Sequence, residues 1–125
     1  MLQTLLAVAA GGAIGASGRY LVNVTTGRMF GLGFPYGTIT VNVLGSFLMG
    51  ALFVVMARKG GTALAPFLMT GVLGGFTTFS AFSLDALTLF ERGQGGTAAV
   101  YVVLSVALSL LALVVGAFLT RMVMA

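Results

Sequence analysis

The sequence predicts an all-α integral membrane protein: one domain over residues 1–125, with four transmembrane helices and a third helix broken near its middle. Composition is the first observation. The chain is 59% hydrophobic and 6% charged, against roughly 25% charged in an ordinary soluble domain, and its mean hydropathy is +1.16. Six Lys+Arg and two Asp+Glu residues cannot clothe the surface of a soluble 125-residue protein. The second observation is how those charges divide the chain. They leave the neutral runs Met1–Gly18, Met29–Ala57, Gly60–Leu84 and Gly93–Thr120, each long enough to supply most of the roughly 20 residues a spanning helix needs. The third is what is missing. Without cysteine or histidine, thiolate sites, disulfides and imidazole bases are excluded. Few residues remain outside the bilayer to form a catalytic domain, so the chain does not read as an enzyme.

The first helix is expected over Leu2–Val22. Ala7-Val8-Ala9 imitates a signal-peptide cleavage site, but no basic segment precedes it and the apolar stretch continues to Arg19, so the helix is read as retained. Gly11 and Gly15 lie four apart, a spacing that lets helix backbones approach closely. A nucleotide-binding glycine loop needs a preceding strand, and none fits here. Asn23–Tyr36 reads as the first loop, carrying a chance Asn23-Val24-Thr25 sequon and a Pro35-Tyr36-Gly37 turn. The second helix then covers Gly37–Met56 and the second loop Ala57–Gly61.

The third helix, Leu64–Phe90, holds Gly74-Gly75-Phe76-Thr77-Thr78-Phe79-Ser80-Ala81-Phe82-Ser83 at its centre. Each glycine costs roughly 1 kcal/mol of helix propensity relative to alanine, and the hydroxyl side chains compete for backbone hydrogen bonds. Either a broken helix or a kinked packing helix fits these residues. Unwound backbone at membrane depth persists only where it is buried in protein or lines a wet cavity, so a break there marks a functional centre. After the loop Glu91–Gly96, the fourth helix is expected over Thr97–Met122. Tyr101, Ser105 and Ser109 recur every four residues and put three hydroxyls on one stripe.

With four spans, Arg58, Lys59 and Arg121 fall on one side and Arg19, Arg28 and Arg92 on the other. Three against three gives no positive-inside bias. Insertion in both orientations is one reading; orientation set by the N-terminal segment is the other. The formal charge of +4 includes no basic run longer than Arg58-Lys59, so it reads as headgroup and orientation chemistry, with no nucleic-acid partner.

Three stretches, in order, then meet a known pattern: 11–20 (Gly-Gly-Ala-Ile-Gly-Ala-Ser-Gly-Arg-Tyr), 37–45 (Gly-Thr-Ile-Thr-Val-Asn-Val-Leu-Gly) and 74–83. Over nearly its full length the chain resembles the small bacterial fluoride channels of the Fluc or CrcB family. The resemblance implies an antiparallel, dual-topology homodimer with two fluoride pores in a bacterial inner membrane. It implies passive fluoride export that lowers cytoplasmic fluoride and gives resistance. It also implies a central structural sodium ion held by the main-chain carbonyls of Gly74 and Thr77. The pore residues it carries over are Asn42, Phe79, Phe82, Tyr101, Ser105, Ser109 and Thr38, with Arg19 at an aqueous vestibule. Two positions depart from the pattern. Ala81 stands where many relatives have threonine, and Asp85 where many have glutamate.

The residue types suit a small, strongly hydrated anion. Asn42 brings amide donors and the hydroxyls can turn protons toward the ion. Phenylalanine rings present a positive edge while excluding water. Each also has a plainer reading. Asn42 is equally a glue between helices, Phe79 and Phe82 a packing stripe, and Arg19 a snorkelling helix-end cation. Asp85 reads as a proton carrier or a hydrogen-bonded interfacial acid. Two other functions compete. A proton-coupled four-helix multidrug transporter relies on an acid in its first helix, and Met1–Gly18 has none. A packing subunit fits the glycines but would move no ion.

Overall fold

The computed structural model describes residues 1–60 and 63–125. Among the described residues, four helices are long and apolar enough to cross a membrane: Leu2–Phe30, Tyr36–Lys59, Pro66–Glu91 and Gly95–Met124. They are called here the first to fourth helices. The predicted second loop ends on Gly61, which lies outside the described residues.

The first helix does not stop at Val22 as predicted but runs to Phe30, and the expected 14-residue loop shrinks to residues 31–35. The reason lies in its threonines. Thr25 Oγ1 donates to the Leu21 carbonyl at 2.8 Å and Thr26 Oγ1 to the Val22 carbonyl at 2.9 Å. This back-bonding satisfies the hydroxyls within the helix instead of breaking it. The sequon therefore lies on a helix. Gly31, at φ 79°, ends it in a backbone region that favours glycine. The other helices also outrun their predicted limits by a few residues, except where Pro66 starts the third later than Leu64. Gly60 and Gly93, both at positive φ, mark the ends of the second and third.

Glycine spacing decides how the helices pair. A Cβ on Gly11 would strike the Phe67 carbonyl oxygen, and one on Gly15 the Val72 carbonyl oxygen. The first and third helices therefore meet backbone to backbone, as the packing reading expects. Gly50 lies against the Leu113 carbonyl and Gly116 against that of Phe47, which closes the second helix on the fourth. In a bilayer, where burying apolar side chains gains little, such close approach is what holds helices together. A small core of Phe82, Leu89, Ala98 and Tyr101 joins the third and fourth helices.

The third helix is interrupted, as its glycine and hydroxyl content predicts. Pro66–Leu73 is wound as a wider π-helix, followed by a short turn at Gly74–Phe76. Thr77 (φ −86°, ψ 160°) and Thr78 (φ −154°, ψ 122°) are then fully extended. The helix resumes at Phe79–Glu91, with the Thr78 side chain as its N-cap.

Candidate pore and helix break

The extended pair Thr77–Thr78 is held from a neighbouring helix. Asn42 donates Nδ2 to the Thr78 carbonyl at 2.9 Å and accepts the Thr78 N–H on Oδ1 at 2.7 Å. One side-chain amide thus mimics the backbone partner that the break removed, the replacement that buried backbone groups require. The clamp uses one Nδ2 proton, and the amide has two. The Thr78 hydroxyl in turn accepts the Ala81 N–H at 3.1 Å.

These bonds redistribute the carbonyls around the break. In a continuous helix the Thr78 N–H would serve the Gly74 carbonyl and the Ala81 N–H that of Thr77. Both donors are committed elsewhere. Gly74 is exposed on the subunit surface and Thr77 is half-buried. Two carbonyl oxygens without their helical donors are a hard oxygen donor set, which fits an alkali cation. Of the two carbonyls between them in sequence, that of Gly75 is answered by Arg19 Nε at 3.1 Å.

Beside the break is a cavity of about 380 Å³. The second helix contributes Asn42 and Ser46, the break Thr77 and Thr78, the resumed helix Phe79 and Phe82, and the fourth helix Ser105 and Ser109. The Phe79 and Phe82 ring centroids are 5.5 Å apart with planes tilted by 54°. Phe82 is buried, whereas Phe79 is 78% exposed and stands at the cavity's open side. Ser105 Oγ is buried in the lining near the Tyr101 hydroxyl but makes no hydrogen bond of good geometry among the described residues. A buried hydroxyl left so costs roughly 1–3 kcal/mol, and an entering polar species would recover it.

Other residues that the resemblance implicates sit elsewhere. Tyr101 and Thr38 are buried but do not line this cavity. The Tyr101 hydroxyl donates to Asp85 Oδ2 at 3.0 Å, so its proton is engaged by the acid rather than offered to an ion. Of the two readings of Asp85, the hydrogen-bonded one describes this geometry. Phe82 and Phe34 pack on the same ring, at centroid distances of 5.4 and 5.5 Å.

The helix-end reading of Arg19 does not hold, because the first helix continues to Phe30 and the guanidinium is half-buried against the break. Arg19 therefore leaves the tally of charges at the span ends, which becomes Arg58, Lys59 and Arg121 against Arg28 and Arg92. Two contributors were missed from sequence. Ser46 carried no signal of its own. Thr78 did: a threonine just before a resumed apolar run is an N-cap signature.

Comparison with known proteins places this architecture. The family described as "CrcB-like protein, Camphor Resistance (CrcB)" matches residues 6–117. A Cereibacter sphaeroides protein named "Fluoride-specific ion channel FluC" is 67% identical over 116 residues, 93% of each chain. Proteins of the same name from Ruegeria sp. and Paracoccus denitrificans are 62% and 55% identical, covering 97% and 93% of each chain. Four spans, a break in the third and kinship over almost the whole length lead to one assignment: the chain belongs to the CrcB family.

Proposed function

We propose that this chain is a fluoride-selective channel, not an enzyme, which lets fluoride leave a bacterial cell passively through its inner membrane. The observation that carries the reading is the convergence of hydroxyl and amide donors with two phenylalanine rings on one cavity beside the helix break. The relatives' name supports it. Fluoride entering this cavity must exchange part of its water shell. The buried Ser105 hydroxyl, Ser109 and the second Asn42 Nδ2 proton are donors suited to that exchange. The edges of Phe79 and Phe82 add weak positive potential without admitting bulk water. Neutral HF crosses lipid and dissociates in the cytoplasm, and a negative interior potential drives the anion out, so no energy coupling is needed. In proteoliposomes, fluoride efflux should follow its electrochemical gradient, exceed chloride efflux by at least tenfold and ignore an imposed proton gradient. Concentrative, proton-driven flux would reject the channel reading.

The working unit in this reading is an antiparallel homodimer of dual topology. The near balance of cations at the span ends, three against two, supports it, as does the broad apolar surface each subunit leaves uncovered. Gly74 and Thr77 of each subunit would turn their freed carbonyls to a shared sodium ion at the dimer centre. When bound, that ion supplies fixed positive charge in a region of low dielectric. The residues' own part would be to keep those oxygens in place, and the Asn42 clamp and the Thr78 cap, which hold the backbone of the break, support that role. Native mass spectrometry should record two chains with one monovalent cation, and C-terminal reporters should appear on both sides of the membrane. An active monomer in one orientation contradicts this assembly.

A further inference from the structure

Arg19 is a cation within the bundle whose hydrogen-bond partner is a carbonyl rather than a carboxylate. A charge at such depth is costly and marks function. Its Nε donates to Gly75 O at 3.1 Å, across 56 residues of sequence. In a continuous helix that carbonyl would receive the Phe79 N–H, but Phe79 begins the resumed helix. The site is also tight. A Cβ on Gly75 would lie 2.7 Å from the Gly12 carbonyl oxygen and 3.2 Å from the Ala16 nitrogen, so the first helix backs directly onto the break. The guanidinium further sits at the C-terminal end of the Pro66–Phe76 half of the third helix, where carbonyls concentrate negative potential.

We propose that Arg19 is a positioning residue for the pore, bracing the break through Gly75 from one side as Asn42 braces it through Thr78 from the other. By taking up the Gly75 carbonyl, it answers one of the carbonyls that the break leaves without a helical donor and fixes where the resumed helix presents Phe79. The inference rests on the channel reading for its consequence, but not for its geometry. It differs from a vestibule charge, which would act through field alone and at any nearby position.

Two neutral substitutions of equal reach separate these roles. Glutamine places its amide nitrogen the same number of bonds from Cα as arginine's Nε, so Arg19→Gln keeps a donor at the brace. Arg19→Met matches that length without a donor. Hydrogen–deuterium exchange at the amides of 77–81 and fluoride flux are measured on the purified full-length protein. Arg19→Gln should stay within threefold of wild type in both. Arg19→Met should speed exchange and lower flux by at least tenfold each. Equal values for the two variants, whether both normal or both low, overturn the brace, as does a loosened break that still conducts normally. If Arg19→Met does not assemble, Arg19→Lys keeps the charge but moves the donor one bond outward. The brace then requires Arg19→Gln to conduct at least as well as Arg19→Lys, and a tenfold advantage for lysine overturns it. Wild-type protein without fluoride flux rejects the channel reading and leaves the exchange comparison to decide.

Discussion

Asn42→Asp is expected to lower fluoride flux about a hundredfold while the protein still assembles. The substitution keeps an acceptor for the Thr78 N–H but removes the donor to the Thr78 carbonyl, now 2.9 Å from Nδ2. A carboxylate oxygen would face that carbonyl, and a negative charge would enter the proposed path of an anion. An unpaired buried polar group costs roughly 1–3 kcal/mol, and about 1.4 kcal/mol is tenfold in rate. The clamp and the charge together reach the expected size, and Asn42→Leu, which loses the clamp and the ion-facing donor but adds no negative charge, should do less harm. Phe79→Ile is a cleaner probe of the ring edge than Phe82→Ile. Phe79 is 78% exposed in the subunit, so isoleucine there disturbs little packing, whereas Phe82 also supports Tyr101. Flux should fall about tenfold in Phe79→Ile. Proteoliposome assays on all these variants, after size-exclusion chromatography, make the measurement. Wild-type flux in each would remove the proposed pore lining and leave family membership untouched.

Gly15→Leu should yield no folded protein, and Gly15→Ala should destabilise it by about 1–3 kcal/mol, the usual range for overpacking. A Cβ at Gly15 meets the Val72 carbonyl oxygen and lies 2.7 Å from the Phe76 nitrogen. These are backbone atoms of the third helix and cannot swing aside, so the two helices must separate just before the break. Gly96 is the control. A Cβ there meets nothing within 4 Å, and alanine gains roughly 1 kcal/mol of helix propensity over glycine. Thermal unfolding in detergent should therefore lower the midpoint for Gly15→Ala and leave it equal or higher for Gly96→Ala. Equal midpoints would show that the first and third helices do not depend on this contact.

Much of the architecture was legible in the residues. Hydropathy and charge spacing set four spans because the bilayer imposes a length that local composition alone can meet. The Gly74–Ser83 stretch located the break because its paired glycines and its run of hydroxyl residues lower helix propensity at one point of the span. Kinship was legible for the same reason, since it rests on residue order. The end of the first helix was not, because Thr25 and Thr26 act as helix residues once their hydroxyls bond the preceding turn. The partners of Arg19, Asn42 and Tyr101 were not legible either. Asn42 meets Thr78 across 36 residues and Arg19 meets Gly75 across 56, distances over which periodicity carries no information. Only the close approach of helices at Gly11, Gly15, Gly50 and Gly116 decides which polar groups fall within hydrogen-bond reach. The sequence by itself determined the spans, the break and the family, all properties of local composition and order. The tertiary structure decided which side chain answers each orphaned carbonyl, because a hydrogen bond depends on positions to a fraction of an ångström that helix packing alone sets.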